Sequence, residues 1–170
     1  MRTFGESRGI WGNFLLRRVA LPDFTGQQIV AIDGKGRIAI PAKYRAIAAA
    51  QGSEKFFVIR NVDGGLDLYS EAEYRKVTEK MAPQKAMDSK QARFLKRYIY
   101  SNSAEGVPDS QGRITIPKHL LEFAGIDKEV LVMGVREKIE LWNEQRYKDY
   151  QKSFPMTPEE VVENLFGSEE

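Results

Sequence analysis

Nine residues, Asp33–Gly–Lys–Gly–Arg–Ile–Ala–Ile–Pro41, return 76 positions later as Asp109–Ser–Gln–Gly–Arg–Ile–Thr–Ile–Pro117, with Asp, Gly, Arg, both Ile and Pro identical. Such a repeat constrains a fold more than any single motif does, because both copies must adopt the same local structure. The likeness runs on. Glu54–Lys–Phe–Phe–Val–Ile–Arg60 lines up with Asp127–Lys–Glu–Val–Leu–Val–Met133, and Leu66–Asp–Leu–Tyr69 with Ile139–Glu–Leu–Trp142, the offset falling from 76 to 73. Each copy spans about 45 residues, near the size at which a lone core becomes marginal. Two copies in a chain of 170 residues are therefore expected to share one core.

Hydrophobic alternation and turn residues place the elements. Gln28–Ile32 reads as a strand, 33–36 as a turn, and Arg37–Ile40 as the return strand, with Ile38 and Ile40 on one face. Pro41 closes that strand and suits the first turn of a helix over Ala42–Gln51, ended by Gly52. Phe56–Asn61 and Leu66–Tyr69 are strands joined through Asp63–Gly–Gly65, and Ser70 with Glu73 signals a capping box for a helix over 71–81. The second copy predicts strands at Glu105–Pro108, Arg113–Ile116, Glu129–Met133 and Lys138–Trp142. It also predicts a helix over Lys118–Phe123 ended by Gly125, and an Asn143-capped helix running to about Gln151. Pro108 stands where the first copy has Ile32 and removes a ladder donor.

Between the copies, Asp88 is expected to cap a helix over 89–101 that carries Arg93, Lys96 and Arg97. After Pro155, Thr157–Glu160 reads as a second capping box opening a short acidic helix. The organisation is thus an N-terminal extension at 1–23, copies at 24–81 and 105–152, a connecting helix within 82–104, and an acidic tail at 153–170. The extension has no helical or strand period; the reading is a disordered segment or an overlong gene start, with an arm contacting a partner as the sharper alternative.

Composition removes several function classes. With no Cys there is neither a disulfide nor a thiolate metal site, and the one His, His119, leaves no His-based metal cluster. Gly34–Lys–Gly36 lacks the Ser/Thr and spacing of a phosphate-binding P-loop, and no nucleophile–base pair can be assembled. The chain is therefore expected not to be an enzyme, with no cofactor, metal or small-molecule substrate. No apolar run approaches the ~18 residues that span a bilayer, and no secretory leader is recognisable, so a cytoplasmic protein is expected. Tyr69, Tyr74, Trp142 and Tyr147 recur at equivalent repeat positions and read as packing residues. Charge is uneven: residues 24–150 hold 21 basic against 17 acidic side chains, while residues 151–170 hold one basic against five acidic.

The repeated loop has a clear local chemistry. Asp33 and Asp109 can accept hydrogen bonds from backbone N–H groups two residues on, and Gly36 and Gly112 supply the backbone angle that other residues resist. Arg37 and Arg113 then leave the turn in a defined direction, each with a planar fork of donors that suits a phosphate or the edge of guanine. Lys35 makes the first loop net positive, whereas Gln111 leaves the second neutral. Each Arg could instead simply pair with its own Asp to brace the turn.

These stretches, Phe24–Thr–Gly26, Asp33–Gly–Lys–Gly–Arg–Ile–Ala–Ile–Pro–Ala–Lys–Tyr–Arg45 and the echo at Asp109–Pro117, resemble the MraZ family of bacterial transcriptional regulators, built from two AbrB-type units in tandem. The resemblance covers about residues 24–150. It implies an α+β fold, a double swapped-hairpin β-barrel formed within one chain and flanked by helices. It also implies rings of several protomers, association with the nucleoid, and binding of direct repeats in double-stranded promoter DNA. The target is the division and cell-wall gene cluster, including the protein's own promoter, usually under repression. The family's DNA-contacting Arg maps onto Arg37 and Arg113, with Lys35 and Lys43 as accompanying cations. Residues 1–22 have no family counterpart. The neutral second loop and Pro108 rank Arg113 below Arg37. A ring-forming scaffold that binds a protein partner through the same loops is the alternative reading.

Overall fold

A computed structural model describes residues 23–81 and 89–167. The first copy contributes β1 (Gln27–Ala31), β2 (Arg37–Ala39), α1 (Ala42–Ala50), β3 (Phe56–Arg60), β4 (Leu66–Ser70) and α2 (Glu71–Met81). A helix, α3 (Lys90–Ser101), leads into β5 (Ser103–Gly106), β6 (Arg113–Thr115), α4 (Lys118–Ala124), β7 (Glu129–Val135), β8 (Lys138–Trp142) and α5 (Glu144–Ser153). The last described helix is α6 (Pro158–Phe166). The expected extension over 1–23 lies, but for Asp23, outside the described residues.

The two copies do not pair with themselves alone. One antiparallel sheet runs β1-β7-β8-β4-β3-β5, so each copy's first strand lies on the other copy's side or at its edge. β1 pairs with β7 of the second copy, and β5 pairs with β3 of the first. The edge strands β1 and β5 each turn back into β2 and β6, which pair with one another in a separate two-stranded ribbon. Among the described residues the ladder therefore stays open, without the closed barrel of hydrogen bonds that the resemblance implies, and an isolated bridge between Ile32 and Ile38 links sheet to ribbon.

Ile38, Ile40, Ile114 and Ile116 of the ribbon segments and Phe56, Val58, Leu66, Leu68, Val130, Val132, Ile139 and Leu141 of the sheet belong to one buried cluster. The shared core follows from the alternation: each strand turns one face inward, and neither copy has enough apolar surface to close a core alone.

The registers reveal an internal two-fold. Ile38 lies opposite Ile114, and Asp67 lies opposite Glu140, so equivalent residues of the two copies meet at both places. Val30 pairs with Val130 as Gly106 pairs with Phe56, which makes Phe56 equivalent to Val130 and Val58 to Val132. The third strands are thus offset by 74 positions, and aligning Glu54–Arg60 with Asp127–Met133 is one residue out of step. A one-residue slip exchanges the faces of a strand, and the pairings of Val130 with Val30 and of Phe56 with Gly106 decide the alignment.

Most boundaries fall within a residue or two of the sequence reading; three differ for physical reasons. β5 was expected at Glu105–Pro108 but lies two residues earlier, because Pro108 has no N–H to give and the ladder with β3 ends at Gly106. α3 is capped by Ser89, whose Oγ accepts from the N–H of Ala92 at 3.0 Å; Asp88 lies outside the described residues. Pro41 and Pro117 occupy the N-cap position, one step before the first helical residue, with extended ψ values of 135° and 140°. The Thr157–Glu160 capping box is present with both reciprocal bonds.

Candidate nucleic-acid interface

The two loops have the same construction. In the first, Asp33 Oδ1 accepts from the N–H groups of Lys35 (2.9 Å) and Arg37 (3.0 Å), and Gly36 N–H donates to the Asp33 carbonyl. In the second, Asp109 Oδ1 accepts from Gln111 (2.9 Å) and Arg113 (3.0 Å), and Gly112 N–H donates to the Asp109 carbonyl. Gly36 and Gly112 have φ of +74° and +73°, the left-handed region that a side chain resists. Pro108 leaves this geometry untouched. What it removes is a single bond: Ile32 N–H donates to the Lys128 carbonyl in the first copy, and a proline cannot.

Each Arg does brace its own turn. Arg37 Nε donates to Asp33 Oδ2 at 2.6 Å, and Arg113 Nε donates to Asp109 Oδ2 at 2.9 Å. Both Arg side chains nevertheless remain 29% exposed, so the brace aims them without burying them. The N–H groups of Arg37 and Arg113, followed by their guanidinium groups, hold the two carboxyls down at about 2. A carboxyl lowered in the folded state stabilises it above the ordinary value of ~3.9 and loses that contribution as pH falls toward the folded one. Amide resonances of Lys35, Arg37, Gln111 and Arg113 are accordingly expected to stay in place down to about pH 4 and to move together with midpoints near 2. Midpoints near 4 in an NMR titration would mean that the carboxylates do not organise the loops.

The ribbon places the two Arg side by side. Arg37 lies opposite Thr115 and Ala39 opposite Arg113, so all four share the face opposite the buried Ile38 and Ile114. Arg37 and Arg113 are diagonal neighbours across that face, about 7–8 Å apart by ordinary sheet geometry. The loops sit at opposite ends of the ribbon: Gly36 carbonyl accepts from Ile116 N–H, and Gly112 carbonyl accepts from Ile40 N–H. A two-stranded antiparallel ribbon of this kind has the width that the DNA major groove admits.

A residue missed in the sequence reading completes the second loop. Arg45 of α1 donates from Nε to the Ile40 carbonyl at 3.1 Å, and its guanidinium lies so close over Gly112 that a Cβ there would sit 2.5 Å from Arg45 Cζ. Leu121 holds the corresponding place beside Gly36. With Arg45 beside it, the second loop regains the positive charge that Gln111 fails to supply. The Arg45–Leu121 mismatch between the copies was visible in the sequence, but only the exchange of strands shows that Arg45 serves the other copy's loop.

Residues 24–97 and 99–167 each match the family described as "MraZ protein, putative antitoxin-like". The chain belongs to the MraZ family. Among its relatives is a protein of Caldanaerobacter subterraneus subsp. tengcongensis named "Transcriptional regulator MraZ", 37% identical over 140 residues that cover 82% of this chain and 94% of the relative. A protein of Halothermothrix orenii with the same name is 37% identical over 139 residues, and one of Syntrophomonas wolfei is 33% identical over 142 residues, 84% of this chain and 96% of the relative.

The remaining candidates fall into structural places within this MraZ-family chain. Lys43 Nζ donates to the Thr25 carbonyl at 2.9 Å, and the Tyr44 hydroxyl donates to the Gly26 carbonyl at 2.7 Å. The Phe24–Gly26 element is thereby tied to α1, with the Phe24 ring edge-on to Tyr44 at 5.6 Å. Tyr74 stacks on Phe57 at 4.3 Å, and Trp142 packs against Tyr147 at 5.4 Å, so the recurring aromatics are packing residues. His119 is exposed on α4. Among the described residues no cluster of His, Asp and Glu is arranged to hold a metal, and no helix is long and apolar enough to cross a membrane.

Proposed function

We propose that this protein is a sequence-specific regulator of transcription that binds double-stranded DNA through the outer face of the β2–β6 ribbon. The observation that carries the reading is the placement of Arg37 and Arg113, both aimed by their own Asp, on one exposed face. The name carried by the relatives supports the same class. The exchange of β1 and β5 between the copies supports describing the fold as a swapped-hairpin, AbrB-type arrangement completed within a single chain. On this reading Arg37 and Arg113 contact base edges, while Lys35 at the first loop and Arg45 at the second meet phosphates. Lys43 adds charge to the surface, and because its ammonium also holds Thr25, its removal is expected to cost stability as well as affinity.

The proposed targets are directly repeated boxes about one helical turn apart, in the promoter of the division and cell-wall gene cluster and of the protein itself, with repression as the outcome. One chain already satisfies the internal two-fold, so further copies are free to associate head to tail, and contacts of that kind close into rings. Successive protomers on a ring present their ribbons in the same sense along the DNA, which favours direct repeats over a palindrome. The protein acts in the cytoplasm at the nucleoid, and no small-molecule substrate enters this account.

Titration against duplex DNA from the protein's own upstream region at rising salt tests the reading. Affinity is expected to fall steeply as counterion release is suppressed. Lys35→Ala and Arg45→Ala are each expected to weaken binding on every sequence and to lower the salt slope by about one per engaged site. Retention that ignores salt would point to a protein partner on the same face.

A further inference from the structure

The outer face of the ribbon breaks the internal two-fold at one place. That face carries Arg37 and Ala39 from β2, and Arg113 and Thr115 from β6. The two-fold exchanges Arg37 with Arg113 but Ala39 with Thr115, so the Arg pair is matched and the other pair is not. Arg37 lies directly opposite Thr115, and Arg113 directly opposite Ala39. Side chains so placed have Cβ atoms about 5 Å apart. Each Arg therefore works beside one neighbour, which bears a hydroxyl in the first half and only a methyl in the second. Ala39 and Thr115 are both exposed, and the Thr115 hydroxyl has no hydrogen-bond partner among the described residues. The other departures, Lys35 against Gln111 and Arg45 against Leu121, stand at the loop ends of the ribbon.

We propose that Thr115 sets the direction in which one chain lies on its DNA site, its hydroxyl reading a base pair that Ala39 cannot read in the other half. The inference rests on the reading of the ribbon face as the DNA-contacting surface and adds what orients it. A duplex presents the same phosphate backbone in either direction, so contacts from Lys35 and Arg45 hold the chain equally well both ways round. Two matched Arg forks do the same wherever both halves of a box offer guanine. The hydroxyl of a threonine donates or accepts a hydrogen bond at a base edge, whereas an alanine offers only a methyl, suited to the thymine methyl. The preferred box is therefore asymmetric. It carries guanine in each half, a further base pair selected by hydrogen bonding on the Arg37 side, and an apolar contact on the Arg113 side. A fixed direction on each box is what direct repeats require.

The chain has no Cys, so Ser110→Cys at the exposed tip of the second loop accepts an iron chelate that cleaves DNA where that loop lies. Selection by the wild-type chain from a random duplex library supplies a box, which is then placed singly in a duplex so that no second box imposes a direction. Cleavage from the otherwise wild-type chain is expected to be about fivefold stronger on one flank, as one net hydrogen bond gives. Thr115→Ala is expected to bind several-fold more weakly and to cleave both flanks equally. Ala39→Thr, which places a hydroxyl in each half, is also expected to cleave both equally. The exchanged variant, Ala39→Thr with Thr115→Ala, is expected to move the stronger cleavage to the opposite flank. Both positions are exposed, so these changes leave the buried Ile38 and Ile114 in place. Equal cleavage by the wild-type face, or a stronger flank that stays put in the exchanged variant, would overturn the proposal and leave the DNA reading standing. A library from which the wild-type chain enriches no box would refute the DNA reading and the proposal together.

Discussion

Arg37→Ala is expected to abolish specific DNA binding and leave the fold intact. The side chain is partly exposed on the outer face of the ribbon, and the buried Ile38 beside it is unaffected. Losing one bidentate contact to a base costs ~1–3 kcal/mol, roughly a 5- to 150-fold loss of affinity. An assembly that engages several boxes multiplies the loss, because each protomer contributes to the same avidity. The sequence ranked Arg113 lower, for its neutral loop and Pro108. The matched hydrogen bonds of the two loops and the presence of Arg45 beside Gly112 remove both grounds. Arg113→Ala is therefore expected to cost as much as Arg37→Ala in side-by-side titrations. Unchanged affinity for either variant, with a normal circular dichroism spectrum, would remove that Arg from the interface and leave it as a brace.

Lys138→Met is expected to produce the largest loss of stability. The internal two-fold sets Asp67 directly opposite Glu140, and like charges facing across a sheet repel. Lys138 lies between them, with Nζ 3.0 Å from Asp67 and 2.9 Å from Glu140, and all three side chains are largely buried. Burial works against the ammonium, but its hydrogen bond to Glu140 and the charge of Asp67 outweigh it and push the Lys138 pKa up. The first copy has Gly65 at the equivalent position, where a Cβ would meet the Trp142 ring at 2.8 Å, so one Lys serves both carboxylates. Removing one partner of a buried ion pair costs ~3–5 kcal/mol. The methionine variant must protonate a carboxyl to fold, so its folded-state carboxyl pKa values lie above the unfolded ones and its deficit should shrink as pH falls from 7 toward 5. Urea denaturation at fixed protein concentration measures this. A deficit under 1 kcal/mol, or one that grows on acidification, would contradict the account.

Much of this architecture could be read from the repeat. A doubled Asp-x-x-Gly-Arg turn flanked by Ile-x-Ile locates the loops, the buried face of β2 and β6, and the Arg of the proposed interface. The exchange of strands was not legible from residue patterns alone: β1 can pair locally or with the other copy without any change in alternation, and the partner emerges only in the folded chain, where Val30 lies opposite Val130. The alignment of β3 with its counterpart β7 is one residue out of step in the sequence because Phe57 and Ile59 are as apolar as Phe56 and Val58, so period two does not mark the inner face. Arg45 and Lys138 escaped notice for a common reason. Each acts across the internal two-fold, on residues far away in the chain, where no spacing rule reaches.

Protection of the protein's own upstream DNA from nuclease digestion tests the central claim most directly. Wild-type protein is expected to protect directly repeated boxes about 10 bp apart, and the Arg37→Ala, Arg113→Ala double variant is expected to protect none at the same concentration. Protection of one inverted repeat would contradict the head-to-tail arrangement, and an unchanged footprint from the double variant would show that the ribbon face does not read DNA.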